Sequence, residues 1–351
     1  MNCALGDTLK KTCRTRRDFL ISVGAFLGFS LAGCEQRKST GTTTLRLAHA
    51  SVPGKPLYES AAAFANLVNR ETKGRLRVEV FAQGKLGDSR LVMESAAIGT
   101  LDMACEAPLS PVVPEMALLE LPYLFVDSQH AAENLEGAFG KALAERAEAR
   151  GLVVLGYYTG AGRDIFNRVR EVRTPDDLRG LKIRVPEGAV WLEMMNRFGA
   201  MAIPLSWGEV YTAIEQNVIA GAETDLISIE RACFDETCKY ISRTSHVLLA
   251  YPHIMNRRRY ESLSKADQRL LKRACLQAGR EQRKLLQERL DRARHDLESH
   301  GVSIVDVDKQ LFRDKVLAMH RRYAKKLHAE NILELITPPS DRKVGKEAAG
   351  R

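Results

Sequence analysis

Two arginines of this 351-residue chain stand where a charged side chain could bind an anion. Arg163 directly follows residues 160–162 (GAG), after an apolar segment predicted to be a strand, and Arg184 lies at the tip of the predicted strand Lys182–Val185. In open α/β sheets, ligands bind in the crevice at the carboxyl ends of the strands. A guanidinium donates two parallel hydrogen bonds to a carboxylate, which lysine cannot copy. The two arginines therefore indicate a carboxylate site, although a surface ion pair is the commoner role of such residues.

Two aromatic residues follow the next predicted strand. Trp207 lies at a helix start and Tyr211 one turn later. Residues 206–209 (SWGE) have the spacing of a capping box, which fixes the start of a helix. The two rings are able to wall a pocket, but they fit a hydrophobic core equally well.

Motifs of catalysis and cofactor binding are absent from the sequence. It contains no G-x-S-x-G, H-E-x-x-H, Walker A or EF-hand pattern, and residues 160–162 lack the third glycine of a dinucleotide fingerprint. The eight histidines form no i,i+4 pairs that would suit a metal. The sequence therefore predicts no enzyme, no cofactor and no metal site.

Alternating strand and helix patterns predict an α/β fold. Residues 45–49 alternate as a strand, apolar residues recur at helical spacing over 57–68, and residues 76–80 alternate again. A β-α-β segment of this length requires a parallel pair with a crossover helix. The same rhythm resumes after Gly151.

One long helix is predicted over residues 264–300. Ser264 is typical of a helix cap, and the polar run punctuated by Leu contains no breaker except Gly279. A helix of about 35 residues is about 50 Å long, more than the width of a small domain. We therefore expect this helix to bridge two domains, which agrees with the two domains' worth of chain.

Composition and charge exclude several classes of protein. The chain is 45% hydrophobic and 28% charged, which is ordinary for a globular protein. Its formal net charge is +9, but basic residues are interspersed with acidic ones instead of forming a stripe with aromatic residues. The sequence therefore predicts no nucleic-acid partner.

Residues 1–33 are predicted to be an export signal. A basic stretch precedes an apolar stretch over 19–33 that is too short for a membrane span. Residues 15–20 (TRRDFL) resemble a twin-arginine export motif, and residues 31–34 (LAGC) resemble a lipobox, in which the Cys34 thiol is acylated. The alternative is an uncleaved anchor helix. Residues 34–44 read as a flexible tether and residues 337–351 as a disordered tail.

Six sequence motifs follow one another along the chain. They are 84–90 (GKLGDSR), 99–103 (GTLDM), 121–125 (LPYLF), 181–186 (LKIRVP), 204–214 (PLSWGEVYTAI) and 221–223 (GAE). With these motifs in the right order, the chain from residue 45 to residue 335 resembles the solute receptors of tripartite ATP-independent periplasmic (TRAP) transporters, of the C4-dicarboxylate-binding-like family.

This resemblance implies an α/β, two-domain periplasmic binding protein-like fold with a long helix spanning both domains, which close on a ligand. The implied domains are 45–161 plus about 250–289 and 162–249 plus about 290–336.

The resemblance also implies roles for individual residues. Arg184 stands at the position of the arginine that clamps a carboxylate, Arg163 at that of an assisting arginine, and Trp207 at that of an aromatic residue packed on the ligand. Further residues of the implied pocket, whose alignment or role varies within the family, are His49, Glu106 and Tyr211.

One departure from the family pattern concerns the residues after Glu223. Many relatives continue with Asn-Pro, and that Asn touches the ligand, whereas this chain has Thr224 and Asp225. Thr224 can still form a hydrogen bond. The added acid would repel a carboxylate unless it is turned away or meets an amino or hydroxyl group.

The resemblance implies a non-catalytic periplasmic receptor that captures a small organic acid and delivers it to TRAP membrane permease subunits driven by an ion gradient. The receptor would be tethered to a membrane through Cys34. Two alternatives stay open: a ligand-sensing lipoprotein that docks on a signalling partner, and an exported enzyme that turns over its ligand. A monomer and a helix-mediated dimer both fit.

Overall fold

The computed structural model describes residues 41–338. The predicted signal peptide, the predicted lipidation site Cys34 and residues 35–40 of the predicted tether lie outside this range, as do residues 339–351 of the predicted tail. Thr337, at the start of that tail, donates backbone and side-chain hydrogen bonds to Asn134. No helix in the described range is long and apolar enough to cross a membrane.

The predicted α/β class is confirmed. The strands are β1 Thr43–Ala48, β2 Leu76–Phe81, β3 Met103–Cys105, β4 Leu152–Asn167, β5 Lys182–Val185, β6 Met201–Pro204, β7 Gly221–Thr224, β8 Tyr240–Asn256 and β9 Ser303–Asp306. The α-helices are α1 Pro56–Glu71, α2 Ser89–Ile98, α3 Ser128–Glu136, α4 Ala138–Glu148, α5 Ala189–Phe198, α6 Val210–Glu215, α7 Leu226–Arg231, α8 Arg257–Glu261, α9 Lys265–Lys284, α10 Leu286–Ser299, α11 Lys309–Val316, α12 Met319–Lys326 and α13 Glu330–Leu333. The 3-10 helices are Pro114–Glu120, Pro175–Leu178, Trp207–Glu209 and Phe234–Glu236.

Two long antiparallel strands, β4 and β8, form the centre of the sheet. The strand order is β2-β1-β3-β8-β4-β7-β5-β6, and β9 pairs with β8. β8 pairs with β3 near its C-terminal end, and β4 pairs with β7 near its own. We call the part built around β1–β3 lobe I and the part built around β5–β7 lobe II. Each of the two long strands therefore belongs to both lobes.

The strand that carries Arg163 is longer than predicted. β4 does not end near Tyr157 but continues through residues 160–162 to Asn167, so Arg163 lies inside a strand and not at its carboxyl end. The pairing of β4 with β8 shifts register between Thr159 and Gly162. A Cβ at Gly162 would lie 2.9 Å from the Cβ of Ser245. These glycines thus permit a close approach of β8, whereas the sequence pattern indicated a loop.

The predicted long helix is wrong in one respect, because it is divided at Leu285 into α9 and α10. The Leu285 N–H bonds to the Gln282 carbonyl, which makes a tighter turn than an α-helix. Gly279, the one residue of this pattern that could interrupt a helix, lies inside α9, where an added Cβ would be 3.2 Å from the Tyr158 ring. α9 packs on α1 and β4 of lobe I, and α10 packs on α7 of lobe II. The two helices together therefore span both lobes.

The hydrophobic core has three parts. One lies in lobe I under α1 and α9 and includes Phe64, and one lies in lobe II under α6, α7 and α10 and includes Phe234. The third contains residues of both lobes, including Phe139 of α4 and Trp191 of α5. The chain also returns to lobe I after α11, because α12 contacts the 3-10 helix Pro114–Glu120 and α13 contacts α4.

Candidate ligand-binding site

A cavity of about 610 Å³ lies between the two lobes, and we call it the cleft. Most of its polar lining comes from the ends of β3, β5 and β7 and from the loops that follow them or precede helices. The long strands β4 and β8 contribute Arg163 and Tyr251. Its polar and aromatic lining residues include Lys55, Ser89, Glu106, Arg163, Arg184, Trp207, Tyr211, Thr224, Asp225 and Tyr251.

Arg184 is a buried cation in the wall of the cleft. β5 places it between Ile203 of β6 and Ala222 of β7, and its side chain is only 4% exposed. Its Nε donates to the Leu205 carbonyl at 2.9 Å, and within residues 41–338 no carboxylate forms an ion pair with it. Burial lowers the pKa of Arg184 to about 10, so the guanidinium stays charged at neutral pH. A buried charge of this kind calls for a counter-charge, which a carboxylate ligand would supply.

Arg163 has its counter-charge within the protein. Its Nε donates to Glu223 Oε2 at 2.5 Å and its Nη2 to Glu223 Oε1 at 2.8 Å. Burial alone would lower the pKa of Arg163, but the Glu223 carboxylate outweighs it and the pKa is raised. The fork of this guanidinium is thus already occupied. The two arginines that look alike in the sequence are electrostatically different.

A buried network holds Glu223 behind Arg163. His246 Nε2 lies 3.2 Å from Glu223 Oε2, and His246 Nδ1 lies 2.8 Å from the Thr244 hydroxyl. The His246 ring packs edge-on against Phe198. Burial would raise the pKa of Glu223, but the Arg163 guanidinium outweighs it and holds the pKa below its usual range. Sequence reasoning did not assign His246 to the site, since it lies far from Glu223 along the chain.

The ring of Trp207 lies close to two cations, one from each lobe. The predicted capping box holds it in place, with Glu209 accepting hydrogen bonds from the Ser206 hydroxyl at 2.6 Å and the Ser206 N–H at 3.1 Å. The Arg184 Cζ is 5.7 Å from the centroid of the Trp207 ring, and Lys55 Nζ is 4.0 Å from it. Lys55 belongs to lobe I, directly before α1. Sequence reasoning missed Lys55, because its contact with the ring joins residues about 150 positions apart.

The structure shows how the unusual Asp225 is accommodated. Thr224 ends β7 and is buried in the cleft wall. Asp225 caps the start of α7, where its Oδ1 accepts from the Ser228 N–H at 2.9 Å and its Oδ2 from the Ser228 hydroxyl at 2.6 Å. These bonds direct the carboxylate towards the helix end. This acid therefore meets hydroxyl and amide donors, one of the two conditions that the sequence set for it.

Glu106 and Tyr211, two further predicted site residues, both line the cleft. Glu106 accepts hydrogen bonds from the Ala50 N–H and, at 3.0 Å, from the Ser89 hydroxyl. Burial raises its pKa. The Tyr211 hydroxyl donates to Glu236.

His49 is not among the lining residues. Its fully buried ring packs edge-on against Tyr58, 5.7 Å between centroids. Burial lowers its pKa to about 4. The structure therefore brings six of the seven predicted residues to the cleft and leaves His49 behind its wall. Over residues 41–338, no group of three or more His, Cys, Asp or Glu side chains is arranged to hold a metal ion.

The family of the protein follows from its sequence matches. Residues 47–326 match DctP, the bacterial extracellular solute-binding protein, family 7. The chain belongs to this family. It is 32% identical over 302 residues to the 2,3-diketo-L-gulonate-binding periplasmic protein YiaO of Escherichia coli (strain K12), covering 84% of this chain and 88% of that protein. It is 34% identical over 282 residues to the uncharacterized protein y4mM of Sinorhizobium fredii, but spans only 52% of that longer protein's length.

Solved structures of the family have the same fold. A TRAP periplasmic solute-binding protein from Sulfitobacter sp. NAS-14.1, crystallised with bound β-D-galacturonate, matches with a TM-score of 0.80 at 28% identity. The match covers 84% of this chain and 99% of that one. The predicted resemblance to TRAP solute receptors and the predicted two-domain periplasmic binding protein fold are thus confirmed. Family 7 proteins are periplasmic receptors that bind solutes.

Proposed function

We propose that this protein is the periplasmic receptor of a TRAP transporter and binds a small hydroxylated carboxylic acid in the cleft. The observation that carries the proposal is Arg184, a buried guanidinium with no carboxylate partner among residues 41–338, in the wall of a cavity that both lobes line. Galacturonate in the Sulfitobacter protein and diketogulonate in the name of the Escherichia coli relative support a sugar acid as ligand.

Binding would couple recognition to closure of the lobes. A carboxylate on Arg184 contacts lobe II, and the rest of the ligand reaches Glu106 and Ser89 of lobe I. Contacts to both lobes favour the closed form over the open one. Expulsion of water from the cleft strengthens the charge-assisted hydrogen bonds, while the absence of covalent chemistry keeps binding reversible.

The remaining parts of the proposal concern delivery. The closed receptor docks on the membrane permease subunits, releases the acid unchanged and has no enzymatic role. Export through the twin-arginine motif and acylation of Cys34 would keep the receptor at the membrane near its permease.

A thermal-shift panel tests the proposal. The purified protein, Arg184→Ala and the control Arg77→Ala, which removes an exposed arginine of β2, are heated with D-galacturonate, D-glucuronate, D-gluconate, pyruvate and succinate. A ligand at a hundred times its Kd stabilises a protein by about 2.7 kcal/mol, which raises Tm by about 5 °C or more. We expect such a shift with at least one acid for the protein and the control, and its loss in Arg184→Ala.

Two results would contradict this proposal. One is the absence of any shift across the panel, and the other is an equal shift in Arg184→Ala. Because removal of Arg184 could disturb folding, Arg184→Lys is measured beside it. Lysine keeps the charge but lacks the fork, so we expect a reduced but detectable shift.

A further inference from the structure

Lys55 is a charged residue of the cleft that the proposed carboxylate site at Arg184 does not use. It lies directly before α1 in lobe I and is half-buried. Its ammonium stands 4.0 Å from the ring centroid of Trp207 in lobe II, and Arg184 lies near the same ring. Two cations from different lobes therefore lie near one aromatic ring, within reach of a single small ligand.

The groups around Lys55 differ from those around Arg184. Burial lowers the pKa of Lys55 to about 8; among the neighbouring charges, Asp225 and Glu106 favour its charged form, whereas Arg163 and Arg184 oppose it. Both acids line the cleft, and each already accepts hydrogen bonds from the protein. A carboxylate oxygen has more than one lone pair and can accept again. The end of the cleft at Lys55 thus offers a donor and acceptors side by side.

Such a mixture suits hydroxyl groups, since a hydroxyl both donates and accepts a hydrogen bond. The Arg184 guanidinium lacks an ion-paired acid in the described residues and suits a carboxylate, although Glu223, Glu187 and Glu209 lie near enough to favour its charge. Arg184 and Lys55 therefore present different partners to a single ligand.

We propose that Lys55 determines specificity: with Glu106 it binds hydroxyl groups of a ligand whose carboxylate lies on Arg184, and so selects hydroxylated acids over acids of the same length without hydroxyl groups. This inference rests on the proposed function. It assigns to lobe I a recognition residue that complements the arginine of lobe II.

Titration calorimetry on four proteins tests the inference. The protein, Lys55→Met, Lys55→Arg and the control Lys141→Met, which changes an exposed lysine of α4, are titrated with D-galacturonate, D-glucuronate and D-gluconate and with hexanoate, an acid of the same chain length without hydroxyl groups. The Kd ratio of hexanoate to the tightest of the three hydroxylated acids is the readout. We expect the unchanged protein and Lys141→Met to prefer the hydroxylated acid, and Lys55→Met to lose at least about tenfold of that ratio, or 1.4 kcal/mol.

The two Lys55 variants separate hydroxyl recognition from a general effect of charge. Lys55→Arg keeps the charge and donor groups, and we expect it to retain more of the preference than Lys55→Met. The Tm of each variant without ligand shows whether it folds. An unchanged ratio in Lys55→Met, or equal weakening for hexanoate and the hydroxylated acid, would overturn the inference. A preference of the unchanged protein for hexanoate would also overturn it while leaving the Arg184 receptor intact. If no acid binds the unchanged protein, the proposed function fails as well.

Discussion

Arg184 and Arg163 are buried to a similar extent, 4% and 6% exposed, yet different groups compensate their charges. Glu223 neutralises Arg163 through two side-chain hydrogen bonds. Arg184 bonds to a backbone carbonyl, which compensates less of its charge. A buried guanidinium in a cavity wall with a carbonyl as partner is poised to accept an anion, whereas one with a carboxylate is already satisfied. The group that compensates the charge of each arginine, and not the residue type, therefore distinguishes Arg184 from Arg163.

The Arg163–Glu223 pair provides a stability prediction. In Glu223→Gln the Arg163 charge stays buried without its carboxylate, so we expect the free energy of unfolding to fall by about 3 kcal/mol. Denaturant unfolding at neutral pH measures it. The control is Glu79→Gln on β2. The Glu79 carboxylate lies 3.5 Å from the Nε of Arg77, and both side chains are exposed. For this control we expect the free energy of unfolding to change by less than about 1 kcal/mol. Equal stability of the two variants would show that the buried pair is not needed.

At the scale of elements, two segments from opposite lobes meet at a second acid. The 3-10 helix Pro114–Glu120 places Glu120 beside the start of α5, where its Oε2 would lie 3.4 Å from a Cβ at Gly188. Neither carboxylate oxygen has a well-aligned hydrogen-bond partner among residues 41–338, although Ser110 and Trp191 lie near the carboxylate. Burial raises the pKa of Glu120 to about 7. The contact between these segments therefore depends on the proton that Glu120 holds.

This contact predicts a dependence on pH. A folded-state pKa near 7, above the unfolded value near 4.5, means that the stabilising protonated form is complete below pH 4.5 and lost as pH rises through 7. Glu120→Gln mimics the protonated acid, so we expect a higher Tm than that of the unchanged protein at pH 8 and a similar Tm at pH 5. Glu145→Gln, on the exposed face of α4, is the control. A Tm difference that does not change with pH would contradict the assignment.

Local patterns in the sequence predicted the elements that carry the lobe II side of the cleft. β5 has the predicted bounds Lys182–Val185, and the capping box at Ser206 forms as expected. Patterns failed where distant parts of the chain decide the outcome. Residues 160–162 continue β4 because β8 approaches them closely, which no local signal shows. No Gly or Pro beside Leu285 indicates the tighter turn that the structure has there.

The site shows the same limit. Arg184 was identified because it ends a strand, and Thr224 because it departs from a motif. Lys55 was missed because its contact with Trp207 joins the two lobes and its proposed role depends on that contact. His49 was assigned from the resemblance, but its ring packs on Tyr58 behind the wall of the cleft. A residue that acts across two lobes becomes visible only when the lobes are placed together.

Four elements connect the two lobes whose closure would accompany ligand binding. β4 and β8 run through both lobes, and α9 and α10 pass from one lobe to the other. Arg184, the proposed anion-binding residue, belongs to lobe II, whereas Lys55 and Glu106, the proposed hydroxyl-binding residues, belong to lobe I. A ligand that bridges the two sets of groups therefore stabilises the closed arrangement, which is the form that a permease would need to distinguish from the empty receptor.

A crystal structure of the protein with the acid that gives the largest thermal shift would show which arginine binds the ligand. We expect one acid molecule in the cleft, its carboxylate within hydrogen-bonding distance of the terminal guanidinium nitrogens of Arg184, and the Arg163–Glu223 pair unbroken. We also expect a hydroxyl group of the ligand beside Lys55. A ligand held outside the cleft, or a carboxylate that displaces Glu223 from Arg163 and leaves Arg184 without a counter-charge, would show that Arg184 is not the anion-binding residue.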